Sequence, residues 1–212
     1  MEELQKIYDE LQTRYGAKEL HSIYGNGCSK NAKLVLVFMN PTKKNIATAK
    51  NWQGIRGQWL GTKQIWSFLA KCGLFDEELN NKIQNMKPAD WSPEFCQAVY
   101  NDIANRKIWI TNLAKCTQND ARPLPDKVFS AYKNLLEQEL VKVNPRKIIL
   151  FGNQVASVVL GEKVSVSQTR GQKFNLQIKG KTYDAYAVYY PVGNGRFNQD
   201  KAITDLMAIL KM

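Results

Sequence analysis

Four short apolar runs in this chain each end on residues with hydrogen-bonding chemistry. Leu34 to Phe38 leads into Met39-Asn40-Pro41-Thr42, and Lys107 to Thr111 leads into Asn112-Leu113. Lys147 to Phe151 is followed by Gly152-Asn153. Tyr183 to Tyr189 is followed by Tyr190-Pro191-Val192-Gly193-Asn194-Gly195-Arg196. The first is the most informative. Pro41 fixes its own φ and drives Asn40 out of the helical region, so the Asn40 amide is set where the strand opens. An amide fixed in this way can hold a water molecule or a ligand. An Asn-Pro pair is also an ordinary strand-ending turn, and the other three ends decide between the two readings. Ligands of an open α/β sheet bind outside the carboxyl ends of its strands. Strands that only had to fill a core would not need three terminal amides and a Gly-rich basic loop there.

The elements that must position these ends read as follows. Glu2 to Tyr15 places Leu4, Ile7, Tyr8, Leu11 and Tyr15 on one helical face. A Gly-rich turn is expected at Gly25-Asn26-Gly27. Thr42 to Leu60 has no clear periodicity, carries Trp52, Gly54, Gly57 and Trp59, and reads as a long functional loop. Helices are expected over Thr62 to Cys72, Ser92 to Asn105 with Pro93 in the first turn, Pro125 to Val143, Asn153 to Leu160 and Phe197 to Met212. Lys173 to Ile178 and Tyr183 to Tyr189 read as strands joined at Gly180. The alternation predicts one α/β domain over residues 1–212. It is a three-layer α/β/α sandwich around a mostly parallel sheet of about four strands.

The chain has 212 residues, with 30 Lys and Arg against 19 Asp and Glu, a formal charge of +11. That excess favours a polyanionic partner, nucleic acid before anionic membrane. The start, Met1-Glu2-Glu3-Leu4-Gln5, is acidic and polar, unlike a secretory signal, and no apolar stretch reaches bilayer length. A cytoplasmic monomer is expected. Cys28, Cys72, Cys96 and Cys116 are widely scattered, without the short spacings of a zinc or iron–sulfur loop, so reduced thiols and no metal are expected. His21 is the only histidine, which excludes any mechanism built on a His pair. Neither a Gly-X-Gly-X-X-Gly nor a Walker-type loop is present, so a nucleotide-binding enzyme of those kinds ranks last.

Taken in order, the strand-end motifs resemble those of the uracil-DNA glycosylase superfamily from about Gly25 onward. Phe38-Met39-Asn40-Pro41-Thr42 is similar to the Gly-Met-Asn-Pro-Gly loop of its single-strand-selective branch, with both glycines replaced. Ile110-Thr111-Asn112-Leu113-Ala114-Lys115-Cys116 resembles the Ile-Thr-Asn-Ile/Leu-Val-Lys-Cys segment of the thermostable iron–sulfur branch. Asn144-Pro145-Arg146-Lys147-Ile148-Ile149-Leu150-Phe151-Gly152 resembles that branch's Pro-Lys-X-Ile-X-X-Leu-Gly strand, and Arg170-Gly171 an Arg-Gly pair that follows it. Two departures stand out. The superfamily's last motif usually begins His-Pro-Ser, where this chain has Tyr190-Pro191-Val192. Of the four cluster cysteines only Cys116 falls at a corresponding place, with Tyr132 near another, so no cluster and no other cofactor is expected.

The resemblance implies a monofunctional DNA glycosylase, acting on duplex or single-stranded DNA, that flips out a damaged or modified pyrimidine. Asn40 would position the attacking water. Asn112 would read the base edge, since an amide donates and accepts side by side. Trp59 would stack on the base, with Trp52 as a second platform, and backbone amides around Met39 would face it. Tyr190 would stand in for the leaving-group His, or only pack. Asn194, Arg196 and Phe197 would meet DNA, with Arg196 or Phe197 as the wedge that fills the gap. Ser165, Ser167, Arg170, Lys43 and Lys44 are candidate phosphate contacts. Each also has an ordinary structural reading as cap, core or surface residue. Replacement of both glycines beside Asn40-Pro41 points to a pocket adapted beyond uracil, including a bulky base such as glucosylated 5-hydroxymethylcytosine in phage DNA. A non-catalytic nucleic-acid-binding module on the same fold is the alternative that the Tyr190 departure supports.

Overall fold

The computed structural model describes residues 1–122 and 124–212. Its centre is a six-stranded sheet rather than the four-stranded one expected. The strands are β1 (Asn26–Gly27), β2 (Leu34–Phe38), β3 (Ile108–Asn112), β4 (Lys147–Phe151), β5 (Phe174–Ile178) and β6 (Lys181–Val188), in spatial order β1-β3-β2-β4-β6-β5. The four inner strands are parallel. The two edge strands are antiparallel, β1 against β3 and β5 against β6; β5 lies within the expected strand Lys173 to Ile178, and β1 is the one not expected. The Gly25–Gly27 turn contains β1, too short to show a period. The β5–β6 hairpin turns through Lys179 and Gly180, both at positive φ, where Gly180 pays no steric penalty.

Two helical layers cover the sheet. On one face lie α2 (Gln64–Lys71), α3 (Glu77–Asn85), α4 (Pro93–Asn105) and α8 (Gln199–Lys211), packed on Leu34, Leu36, Phe38, Ile108, Ile110, Ile149 and Phe151. On the other lie α1 (Glu2–Tyr15), α5 (Asp126–Val143), α6 (Asn153–Leu160) and α7 (Val166–Thr169), packed on Val35, Val37, Trp109, Ile148 and Leu150. β2 and β3 are buried along their whole length, as strands covered on both faces must be. Ser92 caps α4 through its side chain, with Pro93 following at the first turn. Among the described residues no helix is long and apolar enough to cross a membrane.

The chain leaves β2 toward the α2–α4 face. It leaves both neighbours of β2, β3 and β4, toward the α5–α7 face. Adjacent connections therefore diverge at the carboxyl end of β2, the position at which open α/β sheets bind their ligands.

Candidate active site

Pairing between β2 and β3 continues beyond the strands. Leu113 N–H donates to the Phe38 carbonyl at 2.7 Å, Ala114 N–H to Met39 at 3.0 Å, and Gln118 N–H to Pro41 at 3.1 Å. Lys43 N–H returns a bond to the Gln118 carbonyl at 2.9 Å. The Asn40 loop and the Asn112 loop are thereby laced into one piece. Asn40 is half-buried, and its Nδ2 donates to the Pro41 carbonyl at 3.2 Å, which orients the amide.

Phe38 and Asn112 are register partners, so their side chains emerge side by side on the α2–α4 face. Phe38 stacks on Phe151 at 4.5 Å. The Trp59 and Tyr190 rings stand edge-on to Phe38, at 5.1 and 6.3 Å, and 6.4 Å from each other. Three strand ends and the loop after β2 thus converge on one aromatic cluster. Burial pushes the Tyr190 phenol above its ordinary pKa. Gly195 lets the following turn, Gly193–Asn198, close on this residue: a Cβ there would sit 2.0 Å from the Tyr190 carbonyl oxygen.

The segment from Thr42 to Leu60 reads as a loop in sequence but is closely pinned. Asn45 Nδ2 donates to the Gly57 carbonyl, Tyr100 OH donates to the Gln58 carbonyl, and Ile46 N–H to Leu60. Arg56 pairs with Asp9 of α1 at 2.9 Å. Trp59, held between these anchors, has φ +69°, a strained region for a bulky residue. Its carbonyl accepts from Thr62 Oγ1 and Trp66 Nε1. Its own indole N–H is buried without a partner among the described residues. Trp52 closes a turn by donating to the Ile55 carbonyl.

Asn112 is 1% exposed and is held from both faces of the sheet. Its Nδ2 donates to Gln58 Oε1 at 2.8 Å, while its Oδ1 is buried and unpaired. From the other face Lys115 Nζ donates to the Asn112 carbonyl, to Thr111 Oγ1 at 2.8 Å and to Glu139 Oε2 at 2.7 Å. Glu139 also accepts from Tyr8 OH and Trp109 Nε1. Burial lowers the Lys115 pKa against the raising effect of Glu139. Gln58 and Glu139 were not singled out in the sequence, and Lys115 entered only as the Lys of the Ile110–Cys116 segment, without a role of its own.

A family model described as the Uracil DNA glycosylase superfamily matches residues 24–209. The chain belongs to this superfamily. Membership supports a DNA glycosylase type of activity on DNA. The remaining candidate residues of this superfamily member fall outside the aromatic cluster. Met39 is half-buried with its side chain against the α1/α5 core, on the opposite face from Phe38, and its carbonyl is taken by Ala114 N–H. Asn194, Arg196 and Phe197 are exposed on the Gly193–Asn198 turn, with Phe197 82% exposed and the Arg196 guanidinium over its ring at 5.1 Å. Lys43 and Lys44 are exposed beside the Asn40 loop. Ser165 and Ser167 bond to each other at 2.9 Å around the start of α7. Arg170 is forked onto Asp205 by bonds of 2.8 to 3.1 Å, which satisfies much of its guanidinium within the fold. Asn153, the third terminal amide, accepts from Val166 N–H and so ties α6 to α7. Cys116 is buried beside Tyr132. Among the described residues no group of three or more His, Cys, Asp or Glu is arranged to hold a metal ion.

Proposed function

We propose that this protein is a monofunctional DNA glycosylase, acting as a cytoplasmic monomer, that flips out a damaged or modified pyrimidine and hydrolyses its N-glycosidic bond. The observation that carries this reading is the lacing of the Asn40 and Asn112 loops beside the Phe38–Trp59–Tyr190 cluster. It holds the Asn40 and Asn112 amides at adjacent strand ends, and in this reading Asn40 positions the water and Asn112 reads the base. A flipped base needs a stacking surface and polar groups at its edge.

In the reaction, water adds to C1′ of the sugar as the C1′–N bond breaks. The bonding pair leaves with the base, and a proton from the water is released. Asn40 holds the water; an amide is a poor base, so its contribution is orientation. Tyr190, kept protonated by burial, donates to the base as negative charge develops on it. A lysine nucleophile is disfavoured because Lys115 Nζ is taken up by Thr111, Asn112 and Glu139. Phe197, with Arg196 stacked on it, fills the gap in the duplex, and Lys43, Lys44, Asn194, Ser165 and Ser167 meet the phosphates. Arg170 shapes this surface through its bond to Asp205 and leaves phosphate contact to the others.

Base release from an oligonucleotide panel tests this reading. The panel carries uracil, hypoxanthine, thymine mismatches, 5-hydroxymethyluracil, 5-hydroxymethylcytosine and its glucosylated form, with abasic sites read by alkaline cleavage. Release at uracil makes the protein a repair enzyme; release at hypoxanthine, a purine, also makes it one but overturns the restriction to pyrimidines. Release only at bulky modified cytosine makes it a defence enzyme against phage DNA. Silence throughout, with DNA binding intact, would replace this reading with a binding module.

A further inference from the structure

The cations of this chain are not confined to the end of the sheet that carries Asn40 and Asn112. Lys107, Lys33, Arg146 and Lys181 stand at the amino ends of β3, β2, β4 and β6, which are neighbours in the sheet in that order. All four are exposed. Strands lie about 4.8 Å apart, so the row is about 14 Å long. Its backbone is laced: Lys33 N–H donates to the Lys107 carbonyl at 2.7 Å, and Lys147 N–H to the Lys33 carbonyl at 3.2 Å. Exposed Lys30 and Lys179 join the row from the loop before β2 and from the β5–β6 turn. Among the described residues none of these six is in an ion pair. Lys181 Nζ donates to the Asn144 amide oxygen, which leaves its charge uncompensated. Asp102, Asp184 and Glu3, close to this end in their elements, are taken by Arg106, Lys173 and Lys142, with Glu2 left over beside Glu3.

Two of these cations are kept against the preference of the backbone. Lys107 follows the C-cap of α4 at φ +61°, and Lys179 opens the β5–β6 turn at φ +48°. Glycine or asparagine is the default at both kinds of position. Lysine there gives up conformational ease and adds charge. Helix C-termini account for Arg106, Lys142 and Lys211, which stand in or beside last turns. They do not account for Lys30, Lys33, Arg146, Lys179 or Lys181, which lie outside any helix.

We propose that this pole is a second DNA-binding surface, which holds the phosphate backbone of one duplex while the Asn40–Asn112 end engages another. The inner strands separate the two ends: β2 has five residues, and at about 3.3 Å each they span about 16 Å of packed core. A duplex seated on one end cannot reach the other without bending around the protein. Duplex DNA carries one charge per about 1.7 Å of axis, so the row faces about eight phosphates and can engage several. Lysine and arginine tips in a line read no sequence; they fix a backbone. Between them the Asn31 and Asn144 side chains are bonded to each other at 2.7 Å. An anionic membrane is the poorer fit, because surfaces of that kind push aromatic or aliphatic side chains below the headgroups. The exposed aromatic ring among the described residues, Phe197, stands at the opposite end. A duplex held at the basic pole raises the local concentration of DNA around the protein and gives it a route from one segment to the next.

The test is capture of a second duplex. A biotinylated duplex is fixed on beads and loaded with the protein, and a fluorescent duplex of unrelated sequence is then offered at low salt. The wild-type protein is expected to retain the second duplex, with log capture falling against log salt at a slope of about −3 to −4 for four phosphate contacts. A variant combining Lys33→Gln, Lys107→Gln, Arg146→Gln and Lys181→Gln is expected to capture about tenfold less or worse, with base release from a single short duplex as in the wild type. Lys107→Gly with Lys179→Gly removes two charges and relieves the left-handed backbone. It is expected to weaken capture without lowering the melting temperature, which separates charge from folding. Binding of the first duplex with no capture of the second overturns this inference, as does equal capture by the fourfold variant. Retention of phosphatidylserine vesicles in preference to the second duplex would make the pole a membrane surface and overturn it as well. None of these three outcomes touches the glycosylase reading.

Discussion

Lys115 and Glu139 form a 2.7 Å ion pair with side chains 1% and 2% exposed, and the same ammonium bonds the backbone carbonyl of Asn112. A buried pair of this kind has a large desolvation cost, offset only while every partner is present. Lys115→Met leaves Glu139 charged among Tyr8 and Trp109 with no cation. It is expected to lower stability by about 3–5 kcal/mol in urea unfolding. Lys115→Met combined with Glu139→Gln is expected to lose less than the single change. Equal losses would show that the charge on Glu139 is not what makes the single variant unstable.

Asn40→Ala removes the oriented amide and leaves Pro41 to hold the loop. Base release is expected to fall by about 10²-fold or more, with DNA affinity little changed. Single-turnover rates and fluorescence anisotropy on one oligonucleotide measure both. Wild-type turnover in the variant would take Asn40 out of the mechanism.

Tyr190→Phe keeps the ring against Phe38 and deletes the hydroxyl. A loss of about 10²-fold in release is expected if that hydroxyl supports the leaving base. Burial raises the phenol pKa, which favours the protonated form. The donor is therefore present at neutral pH and is lost only as pH climbs past the ordinary tyrosine range. The wild-type rate is expected to show no falling limb from Tyr190 below about pH 10. A fall near neutrality that vanishes in Tyr190→Phe would contradict this.

Phe197→Ala and Arg196→Ala act on the exposed turn, away from the packed cluster. Both are expected to slow release from duplex more than from single strands, because only a duplex leaves a gap to fill. Equal effects on the two substrates would argue against a wedge.

The parts of this fold that were legible in sequence are those whose signal is local. β2, β3 and β4 are short apolar runs, and Ser92-Pro93 marks the start of α4. α3 was missed because it is short and largely polar and buries only Ile83, so few apolar residues mark it. The strand-end amides were legible because position after a strand is itself a sequence property. What they bond to was not. Asn112 meets Gln58 across 54 residues of chain, and Arg170 meets Asp205 across 35. Nothing in local spacing encodes such pairs, which is why Arg170 read as a free cation and Gln58 did not read as a site residue at all.

Three residues on one stretch of α1 reach the machinery from behind. Tyr8 donates to Glu139, Asp9 receives Arg56 and Tyr24, and Gln12 accepts the Thr117 N–H at 2.7 Å. Recognition by family likeness starts later, at residue 24. A chain trimmed to the recognisable span would keep every motif, but Glu139, Arg56 and the Thr117 N–H would each lose one partner behind the site. Heredity and mechanics draw the border of this protein in different places.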